Sequence, residues 1–260
     1  MYAMRPRTAV AAACAVSLII VIIAAPTSAV AKKGGQKVTD PAVAVEKQVR
    51  DLKGILTSAR SRLIGLAHLP SVLSANASAC NADMAALPPL ARYGSSGAAD
   101  IQGNLFCLGI PFTAVSIADR AYFLRAIGTR ELGVGDYQQG RVTGLGSIGL
   151  GFPIVVNRQV TGIVLTVLSL DWLEQRITNR RPHGALDVLV IDDHGTVLAR
   201  AGRQATRPGT NIGGSALVKA MLAQERGEGI FRLGHRRVLA AFDAVPRSAE
   251  NMRVAVSVRP

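Results

Sequence analysis

The feature that narrows the fold most is a run of apolar residues between Val38 and Leu66. From Ala42 onward, Ala42, Val45, Val49, Leu52, Leu56, Ala59, Leu63 and Leu66 follow one another in alternating steps of three and four. That is the spacing of one face of an α-helix, and it predicts a long helix from about Pro41 to His68 with Lys47, Arg50, Lys53, Arg60 and Arg62 off the seam. At 1.5 Å per residue the helix is about 40 Å long. Leu69-Pro70 ends it, because the residue before a proline is pushed out of helical geometry. Two uses of the seam stay open: packing on the chain's own domain, or homodimerisation through residues 38–66.

Ahead of this helix, Arg5 and Arg7 precede a stretch without charge from Thr8 to Ala31. The part from Thr8 to Ala25 is just long enough to span a bilayer, and the basic start orients it with the rest of the chain outside. Ala29-Val30-Ala31 also reads as a signal-peptidase site, so residues 1–31 are either a membrane anchor or a cleaved signal peptide. Both readings place the remainder outside the cytoplasm: on the bacterial inner membrane facing the periplasm, or released there after cleavage near Ala31. In that oxidising setting the even pair Cys80 and Cys107 favours a disulfide over two buried thiols. The net charge of +13 is scattered, without a basic block or interleaved aromatics, which excludes nucleic acid and describes a basic solvated surface.

The rest reads as two α+β units. A helical region from Ser71 to Arg92 carries Cys80, and Asp100-x-x-Gly103 turns one strand into the next. Ser116-Ile-Ala-Asp119 fits a capping box for a short helix to about Ile127, with Phe123 and Ala126 on its core face. Gly133, Gly135 and Gly140 predict a loop, Thr161 to Leu170 a central strand, and Pro182 to Gly184 a domain boundary. Beyond it lie the Asp192-x-x-Gly195 hairpin, a helix from Ser215 to Gln224 and three more strands, so the second unit repeats the plan of the first.

Chemistry concentrates between Ser116 and Gly144. Arg120, Tyr122, Asp136, Tyr137, Arg141 and Thr143 are candidate ligand-binding residues: two arginines for a carboxylate or phosphate, two tyrosines for the walls, and Asp136 for an amine. An internal ion pair such as Asp136 with Arg141 is the competing use. Gly144-Leu-Gly146-Ser-Ile-Gly149 matches a dinucleotide fingerprint but lacks the buried strand before it and the helix after it. His68, His183, His194 and His235 have no partners at metal-ligand spacing, and Gly-x-Ser-x-Gly is absent. The expectation is a binding domain without enzyme activity, metal or cofactor.

The long helix ending LAHLP, the two cysteines, ADRAYFLRA, VGDYQQGRVTG, GFPI, LSLDWL, DDHGTVLAR, GEGIF and VAVSVRP together resemble the double Cache sensor domains of bacterial receptors such as histidine kinases and diguanylate cyclases. The resemblance implies a long N-terminal helix (32–70), a membrane-distal PAS-like domain (71–182) holding the ligand pocket, and a membrane-proximal PAS-like domain (183–260), both with antiparallel sheets. Arg120 matches the arginine that grips the carboxylate in amino-acid-binding members, and Tyr122 and Phe123 match the aromatics after it. The acid that receives the amine falls at Val167, which implies a simpler anion than an α-amino acid. Receptors of this kind continue into a second membrane helix and an output domain, whereas the sequence stops at Pro260; a sensor without its own output part, or a ligand-free structural or interaction module, is the expectation.

Overall fold

The structure, a computed structural model, describes residues 40–204, 206–245 and 251–260, all within the compact unit Lys37–Pro260. The apolar segment 1–31, with its anchor and leader readings, and Val38 lie outside the described residues. Among the described residues no helix is long and apolar enough to cross a membrane.

The elements run α1 (Pro41–Ala67), α2 (Pro70–Leu73), α3 (Ala77–Ala85), β1 (Tyr93–Asp100), β2 (Leu105–Leu108), α4 (Ala121–Thr129), β3 (Gly133–Gln139), β4 (Gly146–Val156), β5 (Gln159–Ser169) and α5 (Leu170–Asn179). They continue with β6 (Asp187–Asp192), β7 (Val197–Gly202), α6 (Ala216–Ala223), β8 (Arg226–Leu233), β9 (Arg236–Ala244) and β10 (Met252–Val258). The first five strands form one antiparallel sheet in the order β2-β1-β5-β4-β3, and the last five form another in the order β7-β6-β10-β9-β8. Shifting every strand number by five turns one order into the other. This is an α+β chain of two lobes with one topology, on a long N-terminal helix.

Asp40 caps α1 by accepting from the Ala42 amide at 2.8 Å, and Pro41 takes the first helical position, where its missing N–H would have had no partner anyway. The seam from Val45 to Leu66 is buried within this one chain. It shares a single apolar core with Ile148, Leu150 and Val164 of the first sheet and Val188, Val254 and Val256 of the second. The heptad spacing from Val45 to Leu66 therefore serves packing on the chain's own lobes. Asp51 adds a forked ion pair to Arg176 of α5, with contacts of 2.6 and 2.9 Å.

The two hairpins show the repeat in detail. Asp100 Oδ1 accepts from the amides of Gln102 and Asn104, and Asp192 Oδ1 accepts from those of His194 and Thr196. Each turn closes on a glycine of positive φ, +83° at Gly103 and +73° at Gly195, a backbone state that glycine enters without steric cost. Gly103 O then receives the Ile117 amide and Gly195 O the Ile212 amide, which places each lobe's helix at the same point on its sheet.

Gly133 and Gly135, expected in a loop, instead lie in β3, the edge strand beside β4, while Gly140 follows the strand in the connection to β4. A Cβ on Gly133 would overlap the Tyr122 carbonyl, and one on Gly149 would overlap the Tyr122 ring. These glycines let α4 lie directly on the sheet. Cys80 of α3 is bonded to Cys107 of β2, as expected. Replacing both cysteines by alanine is expected to lower the stability of the folded chain by about 2–4 kcal/mol in denaturant melts, and by the same amount as reduction of the wild type.

Candidate functional site

Between α4 and the first sheet lies a cavity of about 50 Å³. Its floor is sheet: Ser95 of β1, Leu105 and Leu108 of β2, and Leu165 and Val167 of β5. Arg120 and Tyr122 close it from the start of α4, and Gln138, Gly140, Arg141 and Thr143 close it from the β3–β4 hairpin. Four of the six sequence candidates, Arg120, Tyr122, Arg141 and Thr143, therefore meet at one place. Val167 of β5 faces the same cavity as an apolar residue. Among the described residues no carboxylate lines it.

Asp136 and Tyr137 are elsewhere, at the junction of the two lobes. Asp136 pairs with Arg125 at 3.0 Å and accepts from Asn251 Nδ2 at 3.1 Å, with His194 at 3.6 Å. The Tyr137 amide donates to Asp192 Oδ2 at 3.2 Å, and its ring leaves no room for a side chain at Gly209. β3 thus carries pocket residues at one end and the bonds to the second lobe at the other. Gln138 and Ser95 are polar lining residues outside the candidate set, and the register irregularity of β3 between Val134 and Tyr137 means that simple strand alternation does not place Gln138.

The capping box does not form. Asp119 instead holds Arg141 through two oxygens, at 2.8 and 2.6 Å, and Arg141 also donates to the Ser116 carbonyl. Ser116 Oγ accepts from the Ala118 amide at 3.3 Å and stays outside the helix. The forked, charge-assisted pair outcompetes a carboxylate–amide cap. Arg141 thereby finds its partner in Asp119 rather than Asp136. The bonded Arg141 guanidinium holds the Asp119 carboxyl below its ordinary range, and Asp119 in turn raises Arg141.

The N-cap of α4 is Arg120, with extended backbone (φ −79°, ψ 132°) and no side-chain cap bond. In the second lobe the equivalent position, three residues beyond the shared isoleucine, is Ser215, whose hydroxyl accepts from the Val218 amide at 3.3 Å. Of the five guanidinium donors of Arg120, one is engaged, by the Gln139 carbonyl at 3.2 Å. Tyr122 is buried beneath it; desolvation pushes its hydroxyl up to about 12, against the opposite pull of Arg120 and Arg141. At neutral pH it is a neutral donor. The site therefore offers the Arg120 guanidinium, a phenol and an amide over a largely apolar floor, with Arg141 held by Asp119 at its rim.

With this geometry the double Cache fold is established. The ligand-binding domain of the Pseudomonas aeruginosa PAO1 amino acid chemoreceptor PctB, in complex with L-Arg, matches with a TM-score of 0.63 at 13% identity over 84% of this chain and 92% of its own. The sensory domain of the Campylobacter jejuni chemoreceptor Tlp3 with isoleucine bound matches at 0.61, 11%, 84% and 91%. That of the Pseudomonas fluorescens chemoreceptor CtaA with L-alanine matches at 0.59, 14%, 82% and 93%. No family model and no curated protein matches the sequence.

The Asp119–Arg141 pair is open to direct measurement. A carbon-detected NMR titration should place the Asp119 carboxyl below an ordinary aspartate in the wild type and return it to the ordinary value in Arg141→Met. Because the folded-state value is the depressed one, whatever stability the pair adds is present above the unfolded pKa and is lost as pH falls through the folded one.

Proposed function

We propose that the chain is an extracytoplasmic sensing domain that takes a small anion, foremost a simple carboxylate, into the cavity of the first, membrane-distal lobe. One observation carries the reading. The same helix start occurs twice in this chain, and where the second lobe has a capping serine the first has Arg120 beside a cavity that no carboxylate of the described residues lines. A cap bond is worth about 0.5–2 kcal/mol, and Arg120 gives it up in exchange for a guanidinium whose planar fork fits a carboxylate. Tyr122 and Gln138 add neutral hydrogen-bonding groups. Val167 supplies no charge for an ammonium group, which favours an anion over the amino acids bound in the PctB, Tlp3 and CtaA structures. Residues 1–31, as anchor or leader, would present the domain to the periplasm. The arrangement supports binding without catalysis.

The cavity is small for such a ligand. It opens if the Gly140–Leu145 hairpin lifts, and the side-chain pair holding that rim, Asp119–Arg141, is solvent-exposed, in the class worth about 0.2–1 kcal/mol. The same small volume favours a second reading, a self-filled lobe that acts as a structural or interaction module. Thermal unfolding in the presence of acetate, propionate, lactate and succinate separates the two. Under the sensing reading at least one of them stabilises the wild type, by about 2.7 kcal/mol at a hundred times its dissociation constant, and does so less in Arg120→Ala. Equal shifts in the two chains, or none in the wild type with these and larger carboxylates, would leave only the structural module.

A further inference from the structure

Positive charge that is scattered along the sequence gathers at one end of the second lobe. At the near end of that sheet Asn251 bonds the Gly135 carbonyl and Asp136, and Asp192 receives the Tyr137 amide, so this end meets the first lobe. At the far end Ser257 and Val258 of β10 pair with Asp187 of β6 and Leu239 of β9, and Asp187 pairs with Gly202 of β7. Each chain segment that turns or leaves there carries arginine: Arg181 ahead of β6, Arg203 after β7, Arg232, Arg236 and Arg237 in the β8–β9 hairpin, and Arg259 after β10. All six are exposed. The charge of Arg181 acts on Asp187, and a Cβ on Gly234 at the hairpin tip would lie 3.3 Å from Gln204 Nε2, so these segments are neighbours in space.

The charge is not spent inside the protein. Among the described residues none of the six guanidinium groups forms an ion pair. The carboxylate at this end, Asp187, is 3% exposed and forked to Arg200, and Asp40 is engaged at the cap of α1. On one face of the hairpin Arg232 stands opposite Arg237, and two residues along, on the same face, Ile230 stands opposite Leu239. Ile230 is 53% exposed, so an apolar side chain lies open to solvent beside two guanidinium groups, a combination typical of segments at a lipid–water boundary. α1 also starts on this side. Its later part reaches the first lobe, where Arg60 pairs with Glu131, while its first turns lie on the second sheet, where Glu46 pairs with Arg226 and Ala42 shares a cleft with Glu228 and Ala241. In sequence, only KKGGQKVT separates Asp40 from Ala31, the last residue of the charge-free stretch.

We propose that the basic far end of the second lobe rests on the surface of an anionic phospholipid bilayer, with its arginines among the lipid phosphates. The occupant follows from charge complementarity and from the reading of residues 1–31 as a membrane anchor, on which this inference rests. The six arginines come from four separate connections spread across the sheet, which matches an extended plane of phosphates better than the compact acidic patch of a protein. Each contributes about a fivefold factor at such a surface, and the attraction fades within a Debye length of about 8 Å at physiological salt.

Hydrogen exchange on the full chain in nanodiscs, made of phosphatidylcholine alone or with phosphatidylglycerol added, reads this contact. The amides of residues 230–237 should exchange severalfold more slowly in the anionic discs, those of the 140–145 hairpin of the first lobe equally in both, and high salt should remove the difference. Arg232→Gln, Arg236→Gln and Arg237→Gln together should cost about a hundredfold in the balance between contact and separation and return the hairpin to its neutral-disc rate. Lysine at the same three positions keeps the charge and should preserve the slowing. Equal rates in the two discs overturn the proposal and leave the arginines to a soluble acidic partner; slowing that survives the glutamine substitutions overturns it as well. A chain that is not recovered with the discs refutes the anchor reading and this inference with it, whereas a recovered chain with equal rates refutes this inference alone.

Discussion

Everything in the molecule is hung on the apolar seam of α1. Each five-stranded sheet buries one face against its own lobe's helix, α4 or α6, and the other faces of both sheets share α1. Leu52, Leu56 and Leu63 belong to the same core as Ile148 and Leu150 of the first sheet and Val188 and Val254 of the second. Burying each such side chain is worth about 1.5–3 kcal/mol, so the seam stabilises both lobes together. The narrow three-and-four spacing follows from that duty: the seam meets sheet along most of its length, and charges are confined to the other faces.

On that spine the chain repeats one lobe and then uses the two copies differently. In Asp100 the second carboxylate oxygen goes to the Asn104 side chain of its own turn, whereas in Asp192 it goes to the Tyr137 amide of the other lobe. At the helix start, serine caps one copy and arginine leaves the other uncapped. The first difference ties the lobes together through β3. The second leaves a guanidinium beside the cavity that β3 also lines, so the strand joins the candidate ligand site to the junction.

The sequence made α1, the central strand β5, the hairpin turns and the cysteine pair legible, because each has a simple signal: periodicity, an apolar run, Asp-x-x-Gly, or an even number of cysteines beyond residue 31. What stayed hidden depends on distant neighbours. Gly133 and Gly135 read as loop because their need for no side chain comes from Tyr122 and Ala126, packed on them from α4. Ser116 and Asp119 spell a capping box, but Arg141, 22 residues away from Asp119, takes the carboxylate. Asp136 and Tyr137 looked like pocket residues because they adjoin Gln138; their partners Asn251 and Asp192 lie 115 and 55 residues away. A seam buried in its own chain and a seam buried in a dimer have the same spacing, so periodicity alone left that choice open.

The central claim is that position 120 exchanges helix stability for ligand binding, and Arg120→Ser measures both sides of the exchange in one variant. Restoring the residue type of the second lobe should raise the unfolding free energy of the unliganded chain by about 0.5–2 kcal/mol and abolish the stabilisation by whichever carboxylate acts on the wild type. A variant that is no more stable than the wild type, or one that keeps its carboxylate response, would contradict the account.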